Sequence, residues 1–529
     1  MSVVEGGPGL SLQVNDAEPV VAHRQPVTAF VGRTLKGPLN RAVPISSFAE
    51  FQQIFGGLWQ PSTLAYAVEQ FFASGANRAL VVRVANGACA PTLTLPAGAE
   101  TLRLAGLQPG SREYLRASVD YDGIADGDAL FNLVVQRTRA AGSERVEDQE
   151  IFRRVSVASE HERCITGVLL HSQLVRAIPP LPAQRPNRSA PGIGGVGISY
   201  VGSNNDGDDG GPLTDYDLIG SAAERIGLFA LRDEHFDFLC VPPLGREQDV
   251  GFGTLLVATR LCRERHALLI VDPPAAWDSP QTAIEAMRKW PFRSDHAVMY
   301  YPRLRALDRL RGRIETFACC GAAAGLLSRA EDGGLAAGAE EESILRAGLQ
   351  PALEISAAQR LRLALVGINT LSASRAGAAA VSARTLAAGA GGSPDWSYLN
   401  ARRLALRIAS SVERGTRWML FEQNVPATWA RGCTLVDAYL ARLADEGAFV
   451  GGSRDERYFV LCDERINPAQ SIAAGSVHLL FGIAARRPGE FDTWLVSHQQ
   501  EASRTRPVSV NRLAMRPSRG SPAEFALRH

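Results

Sequence analysis

The chain has 529 residues, long enough for two to four hydrophobic cores. It is 46% apolar and 21% charged with a formal net charge of +1, so no global field draws it to nucleic acid or to an anionic membrane. Positive charge is almost all arginine, Lys36 and Lys289 being the only lysines, and arginine suits bidentate pairing with carboxylates.

The eight cysteines (Cys89, Cys164, Cys240, Cys262, Cys319, Cys320, Cys433 and Cys462) have no CxxC spacing and read as reduced core residues. The opening MSVVEGGPGLSLQV has no basic stretch followed by an apolar one, and no window reaches the length of a membrane span, so nothing directs export or insertion.

Residues 1–25 form an extended arm. GLSLQV (9–14) alternates like a strand, Leu12 and Val14 against Ser11 and Gln13, with no partner strand nearby. From 26 the chain becomes compact: VTAFVGRTL is a buried strand, SSFAEFQQIFG a helix opened by Ser46 or Ser47, STLAYAVEQFFASGA a second helix ending at Gly75, and ALVVRVA the next strand. Between 88 and 190 the period changes to alternation, in TLTLPAG, LRASVDY, FNLVVQRTR, EIFRRVSV and GVLLHSQLVRAI, which predicts an inserted β-rich domain. A Pro/Gly linker, PPLPAQRPNRSAPGIGGVG, closes it.

The α/β pattern resumes after the linker, so 26–87 and 191–386 together form a middle α/β domain. FDFLCVPP, HALLIVDPP and HAVMYYP are its further strands, expected to pair in parallel through the helices GTLLVATRLCRER and PQTAIEAMRKW. SAAQRLRLALVGINTL supplies one more helix and strand. An α+β domain follows over 387–500. In its first helix Ala401, Leu404, Ala405, Ile408 and Val412 make one apolar face, which leaves Arg402, Arg403, Arg407 and Arg414 around the other sides. RWMLFEQ is expected as a buried strand. A second helix carries Trp429, Cys433, Val436, Leu440 and Leu443 on one face, with Pro426 in its first turn and Gly447 as its stop. RYFVLCD, GSVHLLFGIAA and FDTWLVSHQ are strands, and 501–529 is a polar, Pro-punctuated tail expected to be partly disordered.

Little in this pattern points to chemistry. GIGGVG (192–197) matches a dinucleotide-binding fingerprint but lacks the strand before it and the helix after it, so it reads as linker. NNDGDDGG (204–211) offers Asp206, Asp208 and Asp209 but no bidentate glutamate, so it reads as a turn-rich loop, and no metal or cofactor is expected. Asp272 ends the strand that follows His266, a place where α/β enzymes carry catalytic groups; a strand-capping aspartate before two prolines is the plainer reading. Trp418, Trp429 and Trp494 read as core or interface aromatics.

Taken together, VTAFVGRTLKGPLNRAVPISSFAEFQQIFGG and LAYAVEQFFASGANRALVVRV resemble the N-terminal signature of contractile tail sheath proteins. YVGSNNDGDDGGPLTDYDLIG, LLIVDPP and AVMYYP are similar to further segments of that family. At the C-terminal end WSYLNARRL, SSVERGTRWMLFEQNVPATW, DEGAFVGG, RYFVLCDERINP and RRPGEFDTWLVSHQQ follow in family order. The chain departs from the family in lacking G-V-Y-x-x-E near the start, in reading CCGAAAGLLSRAED where P-P-S-G is usual, and in its longer tail. A phage tail, an R-type bacteriocin and an extracellular injection system all stay open.

The resemblance implies a structural subunit, not an enzyme, that stacks as six-membered rings around an inner tube and contracts to drive that tube through a target envelope. Its fold would be an α/β middle domain, a β-rich outer insertion and an inner α+β domain completed by strands lent by neighbouring subunits. Its partners would be other copies of itself, the tube protein, and baseplate and terminator or cap proteins, with assembly in the bacterial cytoplasm and neither nucleic acid nor membrane insertion. Leu12, Val14, Arg402, Arg403, Arg407, Trp494 and Val496 would then lie at subunit or tube interfaces, the arginines meeting carboxylates there. An α/β enzyme built on Asp272 and His266, and a binding protein displaying 88–190, are the alternatives.

Overall fold

The structure is a computed structural model that describes residues 25–125, 127–190, 199–332, 345, 348–373, 383–389, 396–499 and 502–508. The arm strand with Leu12 and Val14, the GIGGVG segment and the tail beyond 508 lie outside the described residues.

Fully apolar runs make the first unit. β1 (Thr28–Gly32) is buried along its length and is followed by β2 (Ala42–Ile45), α1 (Phe48–Phe55), α2 (Thr63–Ala73) and β3 (Ala79–Arg83). Ser47 and Ser62 cap the two helices, their hydroxyls accepting from the amides of Glu50 and Ala65.

The chain then leaves this unit for an inserted pair of sheets. Its elements are β4 (Thr92–Ala97), β5 (Glu100–Gly106), β6 (Tyr114–Asp120), β7 (Leu130–Thr138), β8 (Val146–Ser156), α3 (Ile165–Leu169), β9 (Val175–Ile178) and β10 (Val201–Gly202). The sheets β4-β5-β9 and β10-β6-β7-β8 enclose their own core, with Leu93, Leu104, Phe131 and Val135 fully buried. Two expectations change here. GVLLHSQLVRAI is a short helix and then a strand, because Ile165 and Leu169 one turn apart both face the core. The unit also runs past residue 190, since β10 pairs antiparallel with β6.

The return segment supplies α4 (Asp215–Ile219), β11 (Phe238–Cys240), α5 (Phe252–Arg265), β12 (Leu268–Val271), α6 (Pro280–Arg288), β13 (Ala297–Tyr301), β14 (Leu304–Asp308), β15 (Arg313–Phe317), α7 (Cys320–Asp332), β16 (Gln350–Pro351), α8 (Ala357–Leu365) and β17 (Ile368–Thr370). One seven-stranded sheet results, in the order β17-β13-β12-β11-β1-β3-β2. Every pairing is parallel except β2 with β3. Because side chains alternate along a strand, Ala29, Val31, Leu239 and Leu269 pack under α5 and α6, while Phe30, Val81, Phe238 and Ile270 face α2 and α7.

The last unit is α9 (Leu399–Gly415), α10 (Pro426–Asp445), α11 (Arg454–Arg457), β18 (Tyr458–Leu461), α12 (Ala469–Ala473), β19 (Val477–Ile483), β20 (Asp492–Gln499) and β21 (Ala502–Pro507). The four strands pair antiparallel in sequence order. α10 buries Trp429, Val436, Leu440 and Leu443, and Gly447 beyond its end takes a φ of 80°, the left-handed conformation that glycine adopts without strain. This unit is not a detached domain. Ala405, Ile408 and Val412 of α9, with Phe481, Trp494 and Val496, belong to the same continuous core as Phe30 and Phe71 of the central sheet.

Two further expectations are corrected. RWMLFEQ is no strand: Arg417–Leu420 is a 3-10 turn and Phe421 beyond it is 90% exposed, because Met419 alone is buried while Trp418 packs only partly on the core. Part of the tail is ordered as β21, held by the backbone ladder of β20 and not by apolar burial.

Candidate functional site

The densest set of buried polar groups lies where the central sheet meets the last unit. Arg402 on α9 is 1% exposed and its Nη2 lies 2.8 Å from Asp295 Oδ2, in the loop before β13. The same nitrogen donates to His296 Nε2 at 2.5 Å, while Nδ1–H of that ring donates to the Ala267 carbonyl at 3.0 Å, an assignment that follows because arginine only donates. The guanidinium also lies 4.6 Å from the Trp396 ring centroid and 5.5 Å from that of Trp494. Burial, reinforced by the Arg402 charge, depresses the His296 imidazole to about 3, and burial lowers Arg402 itself to about 10.

Beside this group His266 Nε2 meets Glu413 Oε2 at 3.3 Å, and Glu413 also accepts from Thr505 Oγ1 of β21 at 2.6 Å. Burial acts to raise the Glu413 carboxyl, but the bonds from His266 and Thr505 outweigh it and hold the group below its ordinary value. His498 is buried between Thr416 Oγ1 and Ser503 Oγ, each at 2.8 Å, and burial depresses it to about 4. The junction therefore ties the starts of β12 and β13 to α9, β20 and β21 through buried hydrogen bonds, with Arg402 Nε and Nη1 and His266 Nδ1 left without a partner among the described residues. Such an arrangement joins two parts into one body; it presents no exposed reactive group.

The expected interface residues divide accordingly. Arg402 and Arg403 do not lie on an outward face: Arg402 pairs with Asp295, and Arg403 Nη2 donates to the Leu327 carbonyl of α7 at 2.8 Å with its guanidinium 5.6 Å from the Phe238 ring centroid. The apolar face of α9 is wide enough to take both inside. Trp494 and Val496 are core residues, and Arg407 is half-buried near the Tyr439 hydroxyl of α10. Leu12 and Val14 lie outside the described residues.

The candidate enzyme residues have separate duties. Asp272 is half-buried and its Oδ1 accepts from the amides of Cys319 and Cys320 at 2.7 and 2.8 Å, capping α7, while burial raises its carboxyl. His266 ends α5 in the left-handed region with φ 56° and turns to Glu413. Asp206 accepts from Thr92, and Asp209 from Ser111, as turn-forming residues. Among the described residues no group of three or more His, Cys, Asp or Glu is placed to hold a metal, and no helix is long and apolar enough to cross a membrane. Asp295, His296, Glu413 and Thr505 had no local signal; only the three-dimensional meeting of distant segments reveals them.

No protein-family model matches the chain, and no curated protein matches it by sequence. Solved structures do. A sheath tail protein from Listeria innocua superposes with a TM-score of 0.60 at 12% identity, covering 91% of this chain and 97% of the other. The PVC sheath complex of an extracellular contractile injection system, in its contracted state, matches with a TM-score of 0.51 at 16% identity over 93% of this chain and 97% of that one. The contracted helical sheath of the anti-feeding prophage gives 0.50 at 16% identity over 92% and 98%. The likeness spans each partner nearly end to end, so the fold of this chain is that of the contractile tail sheath proteins.

Proposed function

We propose that this protein is the structural subunit of a contractile sheath: it polymerises as stacked six-membered rings around an inner tube and shortens to drive the tube through a target envelope. The observation that carries the reading is the whole-length agreement in fold with sheath proteins, two of them captured in contracted assemblies. The buried junction around Arg402 supports it, because a subunit that changes lattice partners must keep its own halves together. The role is mechanical and not enzymatic. The chain's partners are further copies of itself, the tube, and baseplate and terminator proteins, in a phage tail or tail-like particle assembled in the cytoplasm.

The chain ends serve as connectors in this reading. A strand at 9–14 has no partner nearby in sequence, and its backbone donors and acceptors need one if it is to become ordered. β21, the outer strand of the last sheet, has a free edge among the described residues. Exchange of terminal strands between subunits would make a mesh that survives when ring contacts slide. Negative-stain electron microscopy of the purified full-length chain expressed with its tube tests the function: six-fold rings or tubes are expected. A monomer that turns over small molecules would replace this reading with the enzyme built around Asp272.

A further inference from the structure

The half of the β14–β15 ribbon next to its turn has its polarity inverted. A two-stranded ribbon on a protein body ordinarily turns apolar side chains inward and polar ones to water. Here the inward face carries Leu304 and Phe317 at one end but Asp308 and Glu315 toward the turn. Asp308 is fully buried against Arg246 and accepts from the Tyr66 hydroxyl at 3.1 Å, while Glu315 meets Arg246 at 2.7 Å. These bonds bolt the ribbon down rigidly. The outward face carries Leu307 and Ile314, which are cross-strand partners and are 60% and 64% exposed, with Leu310 in the turn between them.

Around this apolar pair the charge is one-sided. Arg309 and Arg313 are largely exposed, and Arg305 is exposed too. Glu315 alone serves three guanidinium groups, those of Arg246, Arg311 and Arg313. Segment 303–315 holds five arginines against Asp308 and Glu315, in a chain whose formal net charge is only +1, so the remainder of the chain is acidic. The ribbon thus asks for an apolar surface with carboxylates, and β15 leaves one backbone edge free among the described strands.

The chain itself carries a surface of that description. β8 is the outer strand of the insert's four-stranded sheet and runs for 11 residues, long for an uncovered edge. Arg163 covers the backbone of Arg153, Arg154 and Ser156, and the 146–152 stretch exposes Val146 and Ile151 and carries Glu147, Asp148 and Glu150 between them. Glu147 bonds Lys36 at 2.9 Å, Asp148 meets Arg137 at 3.5 Å and Glu150 accepts from the Gln173 amide at 2.7 Å. A carboxylate has about four lone-pair sites, so each keeps capacity for a further donor.

We propose that the β14–β15 ribbon of one subunit docks on the β8 edge of a second copy of this chain, Leu307 and Ile314 meeting Val146 and Ile151, with the ribbon arginines on Glu147 and Asp148. This contact deepens the self-assembly proposed above and rests on it. The two surfaces differ, so the contact is heterologous and propagates from copy to copy, as a ring or helix requires. Charge complementarity selects the partner and the apolar pair supplies a dry centre.

The test uses the full-length chain and charge reversal. Arg309→Glu with Arg313→Glu should raise the concentration needed for assembly by roughly tenfold or more, and Glu147→Arg with Asp148→Arg should do likewise. All four changes in one chain should restore assembly toward wild type, a result that general destabilisation cannot produce. A photo-crosslinker in place of Leu307 should join two copies, with the adduct mapping to residues 146–151. Leu307→Ser with Ile314→Ser should weaken assembly while circular dichroism and melting of the monomer stay unchanged. The proposal is overturned if the reversals assemble like wild type, if the four-fold variant gains nothing over either pair, or if the crosslink maps to the tube or elsewhere on the chain. In those cases sheaths still form and the functional reading stands; a wild-type chain that stays monomeric at every concentration overturns both.

Discussion

Asp295, in the loop before β13, lies 2.8 Å from Arg402 on α9, and the pair is sandwiched beside Trp396 and Trp494 where the central sheet meets the last unit. Removing the arginine leaves a carboxylate in a poorly hydrated site and a void between two indoles. Arg402→Ala should cost ~3–5 kcal/mol, the usual penalty for breaking a buried pair from one side. Arg402→Lys should recover only part of this, because an ammonium cannot span Asp295 and His296 while lying flat on an aromatic ring. Urea denaturation followed by tryptophan fluorescence reads both; an unchanged midpoint for Arg402→Ala would remove the junction from the account.

The buried histidines make stability depend on pH. In the unfolded chain an imidazole takes up its proton near pH 6.5, whereas burial in the folded chain depresses His498 to about 4 and His296 to about 3. Between about pH 6.5 and those values the unfolded state binds more protons, so stability is full above that window and falls as pH drops through it. The His498 contribution is at most about 3.5 kcal/mol, at ~1.4 kcal/mol per unit. Replacing His498 by Gln keeps a hydrogen-bonding group without the titration. It should flatten the stability curve between about pH 6.5 and 5, above the range where carboxylates intervene. An equal slope in wild type and variant would assign the pH dependence to other groups.

α7 approaches α2 backbone to backbone through Gly321. A Cβ there would stand 1.9 Å from the Ala67 carbonyl oxygen, and one at Gly325 would stand 2.5 Å from Ser74 Cβ. Backbone cannot give way as a flexible side chain can, so Gly321→Ala should destabilise by ~1–3 kcal/mol, against the usual gain from alanine in a helix. Thermal melting of Gly321→Ala beside Gly253→Ala, whose Cβ would meet nothing within 4 Å, separates crowding from helix propensity.

The strands at 28–32, 238–240, 268–271 and 297–301 were readable because both faces of the central sheet are covered, which demands short continuous apolar runs between Gly and Pro. Where covering is one-sided or absent, local pattern fails. RWML offers an apolar run too short to separate strand from turn. β21, ASRTRP, has no apolar alternation at all and exists through the ladder it shares with β20. Arg402 was expected outside because arginine usually is, and its burial is set by Asp295 and His296 from a distant loop. The β14–β15 ribbon, RLRALDRLRGRIETF, has no clean alternation either, because its inward Asp308 and Glu315 are held by Arg246 from a distant segment.

The terminal arm is expected to act between subunits and not within one. Residues 25–508 already close the central sheet and the shared core. Removing residues 1–18 should therefore leave the melting temperature of the isolated subunit nearly unchanged while abolishing long sheaths. Loss of folding would return the arm to its own subunit's core, and unimpaired tubes would end the strand-exchange proposal.

The insert has its own core around Phe131 and Val135, so a chain lacking 88–190 together with the β10 segment, the gap closed by a short linker, should still fold and polymerise, at a raised concentration because the β8 contact is gone. Sedimentation of the deleted chain reads this, with loss of assembly in a folded variant as the contrary result. The β14–β15 contact with β8 predicts a weaker, less regular polymer from the same variant, which distinguishes an insert that adds a contact from one that only decorates the surface.

Contraction itself is measured most directly by cryo-electron microscopy of the sheath assembled on its tube, imaged before and after a chemical trigger such as mild denaturant. The account predicts two six-fold lattices of one subunit, the second shorter and wider, with the Arg402–Asp295 contact present in both. A polymer of fixed length and diameter under every trigger, or a subunit that comes apart at the Arg402 junction during the change, would contradict it.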